Sequence, residues 1–361
     1  MSALWLKIVI AVLPFLSYFS IGANPAEVCH VYIDLASTPS LMQAVNAVQM
    51  PEQDYKLLLL KRFHSRFSEA LKKHRIKVIG APQLGNRDYD EFAQIIDENL
   101  IRFYLKHPKA QYHIHLNAFH TMRSGHVFDI IPPKQIKSIH LYEDSYGRTL
   151  WDQDILEEFF VQFLKAPVFL HIGLKSQAAS HRIKEKYIIQ KTWRQMEAEL
   201  TDAQKTLIAQ IIGIDIAQMN IMFKDKPVAV FFDDPALTAE ESRKFLQKLS
   251  ENKEIKKIHW LYKNHPRRGD VGDSYEILRQ FVGKAEIIPS KIPFEAFYLL
   301  GMKTDFAAGY GSSVFFSFDK GQILGYIKRK FWEAYLNPLL ELGILSADKI
   351  YDVGEGDPVV D

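Results

Sequence analysis

Short apolar runs alternate with longer amphipathic segments in the first part of the chain. Runs rich in β-branched and aromatic residues predict strands, whereas apolar positions spaced three and four residues apart predict helices. Alternation of this kind is typical of an α/β fold. On these criteria the predicted strands are 28–34, 55–63, 76–82, 112–119 and 138–144, and the predicted helices are 40–49 and 90–107.

The middle of the chain has a different pattern, because residues 152–222 contain mainly helical periodicity and few strand signals. Beyond this segment strands and helices alternate again. The predicted strands there are 227–234, 257–265, 285–290 and 312–318, and the predicted helices are 238–252, 273–283 and 293–302.

Two alternating stretches separated by a helical insertion predict two doubly wound, Rossmann-like α/β domains. The boundary is expected near residue 225, which gives an N-terminal domain at 24–225 and a C-terminal domain at 226–334. The last helical and extended patterns, within 335–361, could return to the first domain and complete it. A cleft between the two domains is the expected ligand site.

The N-terminus has the pattern of a secretory leader. One lysine precedes an apolar stretch of roughly sixteen residues, interrupted by Pro14 and followed by the small residues Gly22 and Ala23. Residues 1–23 are therefore predicted to be a signal peptide, with an uncleaved membrane anchor as the alternative. Either outcome places the protein outside the cytoplasm of a bacterium, in the periplasm or cell envelope, or in a secretory compartment.

Composition limits the classes of partner. The 361 residues are 47% hydrophobic, and 45 basic against 43 acidic side chains leave a formal net charge of +2. Such a balance provides no general field for nucleic acid or an anionic membrane, so any anion site must be local. Cys29, the only cysteine, is expected to be a small buried hydrophobic residue.

The segment WLYKNHPRRGD places His265 after a predicted strand, among Lys263, Arg267 and Arg268. Ligands of open α/β sheets bind beyond the carboxyl ends of the strands. A histidine there can give a proton to a phosphate oxygen near neutral pH. The alternative is a turn histidine whose basic neighbours are simply solvated.

Two further features of the second domain suit a nucleotide. Ser312 and Ser313 follow two glycines, where hydroxyl and backbone N–H groups can hold phosphate oxygens, although serines near glycines also form ordinary turns. Glu295 lies in the predicted first turn of a helix. There its carboxylate can interact favourably with the helix dipole or bind the two hydroxyls of a ribose.

In the first domain, Glu143 and Asp144 end a predicted strand, and alternation would direct only one of them to a ligand, as a candidate base. Other polar residues at the ends of apolar runs are Arg62, Asn86, Asn117 and His120, each of which could equally be structural. No phosphate-binding loop, nucleophile elbow or Cys/His metal set is present in the sequence, so we expect metal-independent chemistry. The acidic pair at Asp233 and Asp234 is the remaining candidate for a metal.

The segments YEDS, KNHP, IPFE and GSSVFFS, in this order, resemble motifs of the bacterial multifunctional sialyltransferases of the Pasteurella and Photobacterium type, glycosyltransferase family 80. That family carries an acidic pair followed by glycine, an HP motif, an SFE-like motif and a serine pair. The resemblance extends to VYIDLASTPSL and IHLNAFH and covers roughly residues 29 to 318.

The resemblance implies a two-domain GT-B fold, a CMP-activated sialic acid donor, inversion at the anomeric carbon, and no metal or other cofactor. Asp144 would be the general base and His265 the general acid. Lys263 would lie by the cytosine, Glu295 would hold the ribose, and the serine pair would hold the phosphate. The implied donor-binding residues are Ser37, Lys263, Pro266, Phe294, Glu295, Ser312 and Ser313, and the implied acceptor-binding residues are Arg62, Asn86, Asn117 and His120.

The sequence departs from the family pattern at two places. Ser145 stands where glycine would follow the acidic pair, and the segment DDPALT has no counterpart of the aromatic residue that faces galactose. The donor could therefore be a related CMP-ulosonate, and the galactoside acceptor and the linkage stay open. Two alternatives also stay open, namely a periplasmic protein that binds an anion or a sugar and a family member that binds CMP-sugar without transferring it.

Overall fold

The computed structural model describes residues 27–63, 68–81, 84, 88–117, 126–142, 160–172, 188–190, 193–224, 227–234, 237–266, 269–328 and 335–352. The chain divides into two compact units. The first unit comprises Met1–Gln190 with Leu207–Gly213, and the second comprises Lys191–Thr206 with Ile214–Asp361. Each unit contains one parallel β-sheet.

The first sheet has seven parallel strands in the order β3-β2-β1-β4-β5-β6-β7. Its strands are β1 (Val28–Asp34), β2 (Tyr55–Leu60), β3 (Ile76–Ile79), β4 (Gln111–Asn117), β5 (Ile136–Tyr142), β6 (Val168–Ile172) and β7 (Ile188–Gln190). The helices of this part are α1 (Ser37–Gln49), α2 (Ser68–Lys72), α3 (Tyr89–Lys106) and α4 (Val127–Ile130). The order reverses between β1 and β4, which is the switch point where doubly wound sheets bind ligands.

Side chains of β1 alternate between two different faces of the sheet. Cys29, Val31 and Ile33 lie in the apolar core, together with buried residues of α3. Helix α3 supplies Phe92, Ile96, Leu100 and Phe103 at helical spacing, and acidic residues in its first turn and a lysine in its last suit the helix dipole. The predicted helix at 90–107 is therefore confirmed, as is the buried state of Cys29.

The second sheet has six parallel strands in the order β10-β9-β8-β11-β12-β13. Its strands are β8 (Val228–Phe232), β9 (His259–Lys263), β10 (Ala285–Ile288), β11 (Phe306–Tyr310), β12 (Ile323–Ile327) and β13 (Ile350–Tyr351). The remaining helices are α5 (Trp193–Glu199), α6 (Asp202–Ile212), α7 (Ile216–Met222), α8 (Ala239–Ser250), α9 (Ser274–Val282), α10 (Glu295–Leu299) and α11 (Leu336–Glu341). The switch point of this sheet lies between β8 and β11.

Three predicted elements differ from the structure. The run at 312–318 is not a strand, because Ser313–Ser317 forms a 3₁₀ helix that buries Val314 and Phe315, and the neighbouring strand is β11. Strands β6 and β7 lie within the segment predicted to be helical. Strand β13 pairs with β12, so this part of 335–361 extends the second sheet.

The division between the compact units also differs from the expected boundary near residue 225. Helix α5 belongs to the second unit, where it packs on α10 and buries Trp193. Arg194 pairs with Asp319, and Glu197 pairs with both Lys205 and Lys303. These contacts join the segment after β7 to the second unit.

Residues 1–26, which include the predicted leader, lie outside the described part of the chain. A search of the described helices found none with the length and apolar character required for a membrane span.

Backbone geometry at Gly309 generates a first prediction. Gly309 has φ +128°, and an added Cβ would lie 2.2 Å from the carbonyl oxygen of Phe232 on the adjacent strand. We expect Gly309→Ala to lower the free energy of unfolding by about 3 kcal/mol or more, because both the backbone and the strand contact would be strained. Urea unfolding followed by tryptophan fluorescence would measure this change.

Gly269→Ala is the matched control, because an added Cβ at Gly269 meets no atom within 4 Å. Equal stability of the two alanine variants would contradict the prediction.

Candidate functional site

Polar residues gather beyond the carboxyl ends of three adjacent strands of the second sheet. Asp233 and Asp234 follow β8, His265 follows β9, and Ser312 and Ser313 follow β11. Since the strands are parallel, these ends lie at one edge of the sheet, around its switch point. The structure thus assembles a candidate site from segments far apart in sequence.

Lys263, the last residue of β9, is only 4% exposed. Its ammonium group donates to the carbonyl oxygens of Asn264 at 3.0 Å and Ser290 at 2.7 Å. Burial lowers the pKa of Lys263 to about 7, against the opposing effect of the Glu295 and Asp270 charges. The side chain is a fixed, buried donor.

Glu295 is the counterpart of this lysine. It begins helix α10 and is 5% exposed. Burial raises the pKa of its carboxyl group, whereas its own backbone N–H and the Lys263 charge favour the ionised form. Burying a charge is unfavourable unless a partner compensates it, and the electrostatic attraction between Glu295 and Lys263 offsets only part of the effect of burial on each group.

The turn that carries His265 is held by side-chain hydrogen bonds. The Asn264 Oδ1 atom accepts from the His265 backbone N–H at 2.8 Å, and its Nδ2 atom donates to the Gly269 carbonyl at 2.7 Å. Further along, the Ser290 backbone N–H donates to Asp270 Oδ1 at 2.6 Å. His265 and Pro266 are half-buried at the top of this turn. Arg267 and Arg268 lie outside the described residues.

Asp233 organises the segment that follows this turn. Its carboxylate accepts from the Tyr262 hydroxyl, from Ser274 Oγ at 2.8 Å and from the Asp234 backbone N–H at 2.9 Å. The Tyr262 oxygen in turn accepts from the Gly272 N–H at 3.0 Å. Burial raises the pKa of Asp233, and these hydrogen bonds oppose the rise. Asp233 is thus a structural acceptor within the protein, a role that sequence reasoning missed when it considered a metal.

Glycines shape the backbone before the two serines. Gly311 donates its N–H to the Ile327 carbonyl at 3.0 Å, and a Cβ at Gly311 would lie 2.4 Å from the Tyr326 hydroxyl oxygen. Ser312 is extended, with φ −147° and ψ 169°, and leads into the 3₁₀ helix. Ser312 and Ser313 are each half-buried.

Phe294 is expected near the donor, and its ring is buried in an aromatic cluster of the second unit. It is 2% exposed and packs on Phe232 with ring centroids 5.0 Å apart, on Tyr298 at 5.6 Å and on Phe318 at 6.0 Å. This aromatic cluster fixes the start of α10 and therefore the position of Glu295.

The first unit contains fewer of the predicted site residues within its described part. Asn117 ends β4, and its Nδ2 atom donates to Asp34 Oδ1 at 3.2 Å across the switch point. Arg62 is half-buried just after β2, and Ser37 begins α1. Asp144, Asn86 and His120 lie outside the described residues.

Asp34 is a further polar residue that sequence reasoning missed. It is 1% exposed and accepts from the Ala36 backbone N–H at 2.7 Å and from Gln43 Nε2 at 3.1 Å, as well as from Asn117. The available signal was an aspartate at the end of the predicted strand 28–34. Asp34 joins the start of α1 to the neighbouring strand.

No family model and no curated protein sequence matches the chain. Among solved structures, the chain is similar to a sialyltransferase of Photobacterium damselae that is described as a GT-B domain, with a TM-score of 0.63, 19% identity, and coverage of 90% of this chain and 99% of that chain. The expected GT-B class, with two Rossmann-like units, is confirmed.

Two related structures give the same fold. An α/β-galactoside α-2,3-sialyltransferase of Photobacterium phosphoreum has a TM-score of 0.68 and 17% identity, over 92% of this chain and 99% of that chain. A 2,6-sialyltransferase of another Photobacterium species, in complex with the donor product CMP and the acceptor substrate lactose, has a TM-score of 0.63 and 16% identity, over 91% of this chain and 78% of that chain. These proteins are of the type named by the motif resemblance.

The buried lysine generates a second prediction. Lys263 has a pKa of about 7 in the folded protein against an ordinary value of 10.5, so between these pH values only the unfolded chain holds its proton. The contribution of Lys263 to stability therefore rises with pH across this window, by up to about 1.4 kcal/mol per pH unit. Lys263→Met should remove that rise. The free energy of unfolding of parent and variant, measured from pH 6 to pH 10, tests this expectation.

Lys284→Met, which removes an exposed lysine next to β10, is the control and should keep the parental pH dependence. A Lys263→Met profile parallel to that of the parent would contradict a lysine that loses its proton on folding.

Proposed function

We propose that the protein is an inverting, metal-independent sialyltransferase that moves sialic acid, or a related ulosonate, from a CMP-activated donor to a hydroxyl group of a terminal galactoside. The observation that carries this proposal is the grouping of His265 and the serine pair at one edge of the second sheet, together with the buried Lys263 and Glu295. The GT-B fold and the motif resemblance support it further.

The donor site is proposed to hold CMP through chemistry suited to a single phosphate. The hydroxyl and backbone N–H groups of Ser312 and Ser313 would bind the phosphate oxygens, and the Glu295 carboxylate would bind the ribose hydroxyls. Lys263 would lie by the cytosine, and Pro266 and Ser37 are proposed as further donor-binding residues. The similar 2,6-sialyltransferase that was solved with CMP supports this choice of nucleotide.

The proposed reaction needs one base and one acid. Asp144, which directly follows the β5 region in sequence, would take the proton of the acceptor hydroxyl as its oxygen attacks the anomeric carbon. The bond between that carbon and the phosphate oxygen would break, and CMP would leave with the electron pair. His265 would give a proton to the departing phosphate, while the serine donors would stabilise its charge.

The acceptor side is proposed to use Arg62, Asn86, Asn117 and His120. The similar structure with bound lactose supports a galactoside as the acceptor class. Asn117 is held by Asp34, which gives its amide group a fixed orientation. On the predicted leader at 1–23, the proposed location is the bacterial periplasm or cell envelope.

Glu295 generates a third prediction. Ribose hydrogen bonds that are equal in the ground and transition states strengthen binding without changing the chemical barrier. Glu295→Ala should therefore raise the Kd of CMP by about tenfold or more, at roughly 1.4 kcal/mol for each factor of ten, and change kcat far less. Titration calorimetry with CMP and initial-rate kinetics would separate the two effects.

Glu276→Ala, which removes an exposed carboxylate paired with Arg279 in the same unit, is the matched control. An unchanged Kd together with a large loss of kcat would assign Glu295 a catalytic role instead.

The fourth prediction tests the transferase directly. Purified protein with CMP-sialic acid and a panel of galactosides should release CMP and form a sialylated product detectable by mass, with equal rates in the presence of EDTA. Asp144→Asn should lower kcat/KM by about 10² to 10⁴ fold while CMP still binds, because general-base catalysis is removed. His265→Ala should also lower kcat/KM.

Glu143→Gln is the control for Asp144→Asn, since it neutralises the adjacent carboxylate. The pH profile of kcat/KM should be bell-shaped for the parent, losing its acidic limb in Asp144→Asn and its basic limb in His265→Ala. CMP binding without product from any acceptor would favour a protein that binds CMP-sugar without transfer. The absence of both CMP binding and product would overturn the proposal.

A further inference from the structure

Four buried polar residues form a continuous hydrogen-bonded chain across the first sheet. The Tyr142 hydroxyl lies 2.9 Å from His115 Nδ1, His115 Nε2 lies 3.1 Å from His30 Nδ1, and His30 Nε2 lies 3.3 Å from Asp54 Oδ2. The exposed fractions are 1% for Tyr142 and His115, 5% for His30 and 7% for Asp54. The chain lies on the face of the sheet opposite the apolar core of α3, because His30 and Tyr32 alternate with Cys29, Val31 and Ile33 along β1.

Strand register explains how the chain crosses the sheet. Tyr142 is the last residue of β5 and therefore lies at the carboxyl edge. His115 lies two residues before the end of β4. His30 lies near the start of β1, and Asp54 immediately precedes β2. The hydrogen bonds therefore connect the carboxyl edge, where α/β sheets bind ligands, with the opposite edge.

The geometry fixes the direction of these hydrogen bonds when Asp54 is ionised. A carboxylate only accepts, so His30 donates from Nε2 and, being neutral, accepts at Nδ1. His115 must then donate from Nε2 and accept at Nδ1 from the Tyr142 hydroxyl. Burial lowers the pKa of His30 to about 3 and raises the pKa of Asp54 above its ordinary value. Every hydrogen in the chain thus points toward Asp54.

Aromatic rings enclose the chain. His115 stacks between Tyr32, at a centroid distance of 4.0 Å, and His140, at 4.4 Å, and His30 stacks on His113 at 4.9 Å. A separate pair of contacts joins His113 and His140 through Ser138, at 2.6 Å and 2.7 Å. Other charged groups that act on the chain or its ring neighbours are Lys56, Arg75 and Lys137.

We infer that Tyr142, His115, His30 and Asp54 form a proton relay that lets Asp54 accept a proton from the carboxyl edge of the first sheet. A proton arriving at the Tyr142 oxygen would displace the hydroxyl hydrogen to His115 Nδ1. The Nε2 hydrogen of His115 would move to His30 Nδ1, and the Nε2 hydrogen of His30 would move to Asp54. Each imidazole ends neutral in its other tautomer, and Asp54 ends as a carboxylic acid. The reverse sequence restores the starting state.

A role for this relay in catalysis rests on the proposed transferase function. Tyr142 precedes the proposed base Asp144 by two residues. A remote carboxylate that accepts the acceptor's proton would keep the base ionised during transfer and return the proton afterwards. A purely structural network would need the same contacts but no proton movement, so the test needs both the resting tautomers and the kinetics of proton transfer.

The first test requires no activity. Nitrogen-15 NMR of the histidine side chains of the full-length protein, at a pH where Asp54 is ionised, should show His30 and His115 as neutral imidazoles that carry hydrogen on Nε2, and His30 should stay neutral at pH 5. A hydrogen on Nδ1 of either ring under the first condition, or a charged His30 at pH 5, would overturn the relay as placed here.

The second test compares two tyrosines on the same face of the sheet. Tyr142→Phe removes a hydroxyl that belongs to the relay, whereas Tyr32→Phe removes one that donates to Asn46 at 2.9 Å. Asp54→Asn removes the terminal acceptor at the opposite edge. Tyr142→Phe and Asp54→Asn should each lower kcat by about tenfold or more and leave the KM for the donor unchanged, and Tyr32→Phe should behave like the parent.

Added formate or imidazole should restore part of the lost kcat in Tyr142→Phe and Asp54→Asn, because a small base can take the proton that the relay no longer accepts. Thermal unfolding of each variant would verify that it is folded. A kcat equal to that of Tyr32→Phe, or a loss that no added base relieves, would overturn the relay. A parent protein without transfer activity would instead overturn the proposed function, and the tautomer result would still decide the geometry.

Discussion

Parallel pairing of every strand is the constraint from which the sites of both units follow. In a parallel sheet all carboxyl ends lie at one edge, and in the observed strand order the helices leave opposite sides of the switch point. His265 and Ser312 lie at such an edge in the second unit, after strands that flank β8, and Asp34 and Asn117 are hydrogen-bonded at one in the first. Residues that lie far apart in sequence therefore become neighbours through backbone hydrogen bonding alone.

Buried polar groups then fix the loops at these edges. Lys263, Asp233 and Asp34 are each less than a tenth exposed, and each has hydrogen bonds within its own unit. Such groups are unfavourable to bury unless they are paired, so they stabilise one arrangement of the surrounding backbone and penalise others. The turn with His265 and the start of α10 with Glu295 owe their positions to this internal polar framework and to the aromatic cluster around Phe294.

Local pattern was sufficient for much of the fold and for placing His265 after the end of a strand of the second sheet. Apolar residues recur at helical spacing along α3 and form continuous runs in the strands, so these elements can be predicted locally. Polar residues directly after a strand indicate the carboxyl edge of the sheet. The aromatic run at 312–318 has strand composition, but burial of Phe315 and Phe318 around Phe232 favours a 3₁₀ turn. Contacts such as His30 with His115, 85 residues apart, depend on register between strands and have no local signal.

The lengths of the outermost strands have a consequence for association between copies of the chain. The first sheet ends in β3 and β7, of 4 and 3 residues, and the second ends in β10 and β13, of 4 and 2 residues. By comparison, the interior strands β1, β4 and β5 have 7 residues each. A short outer strand presents few unpaired backbone groups, so it is a poor template for the addition of a strand from another molecule. Within the described part of the chain, the short outer strands therefore disfavour edge-to-edge pairing between copies.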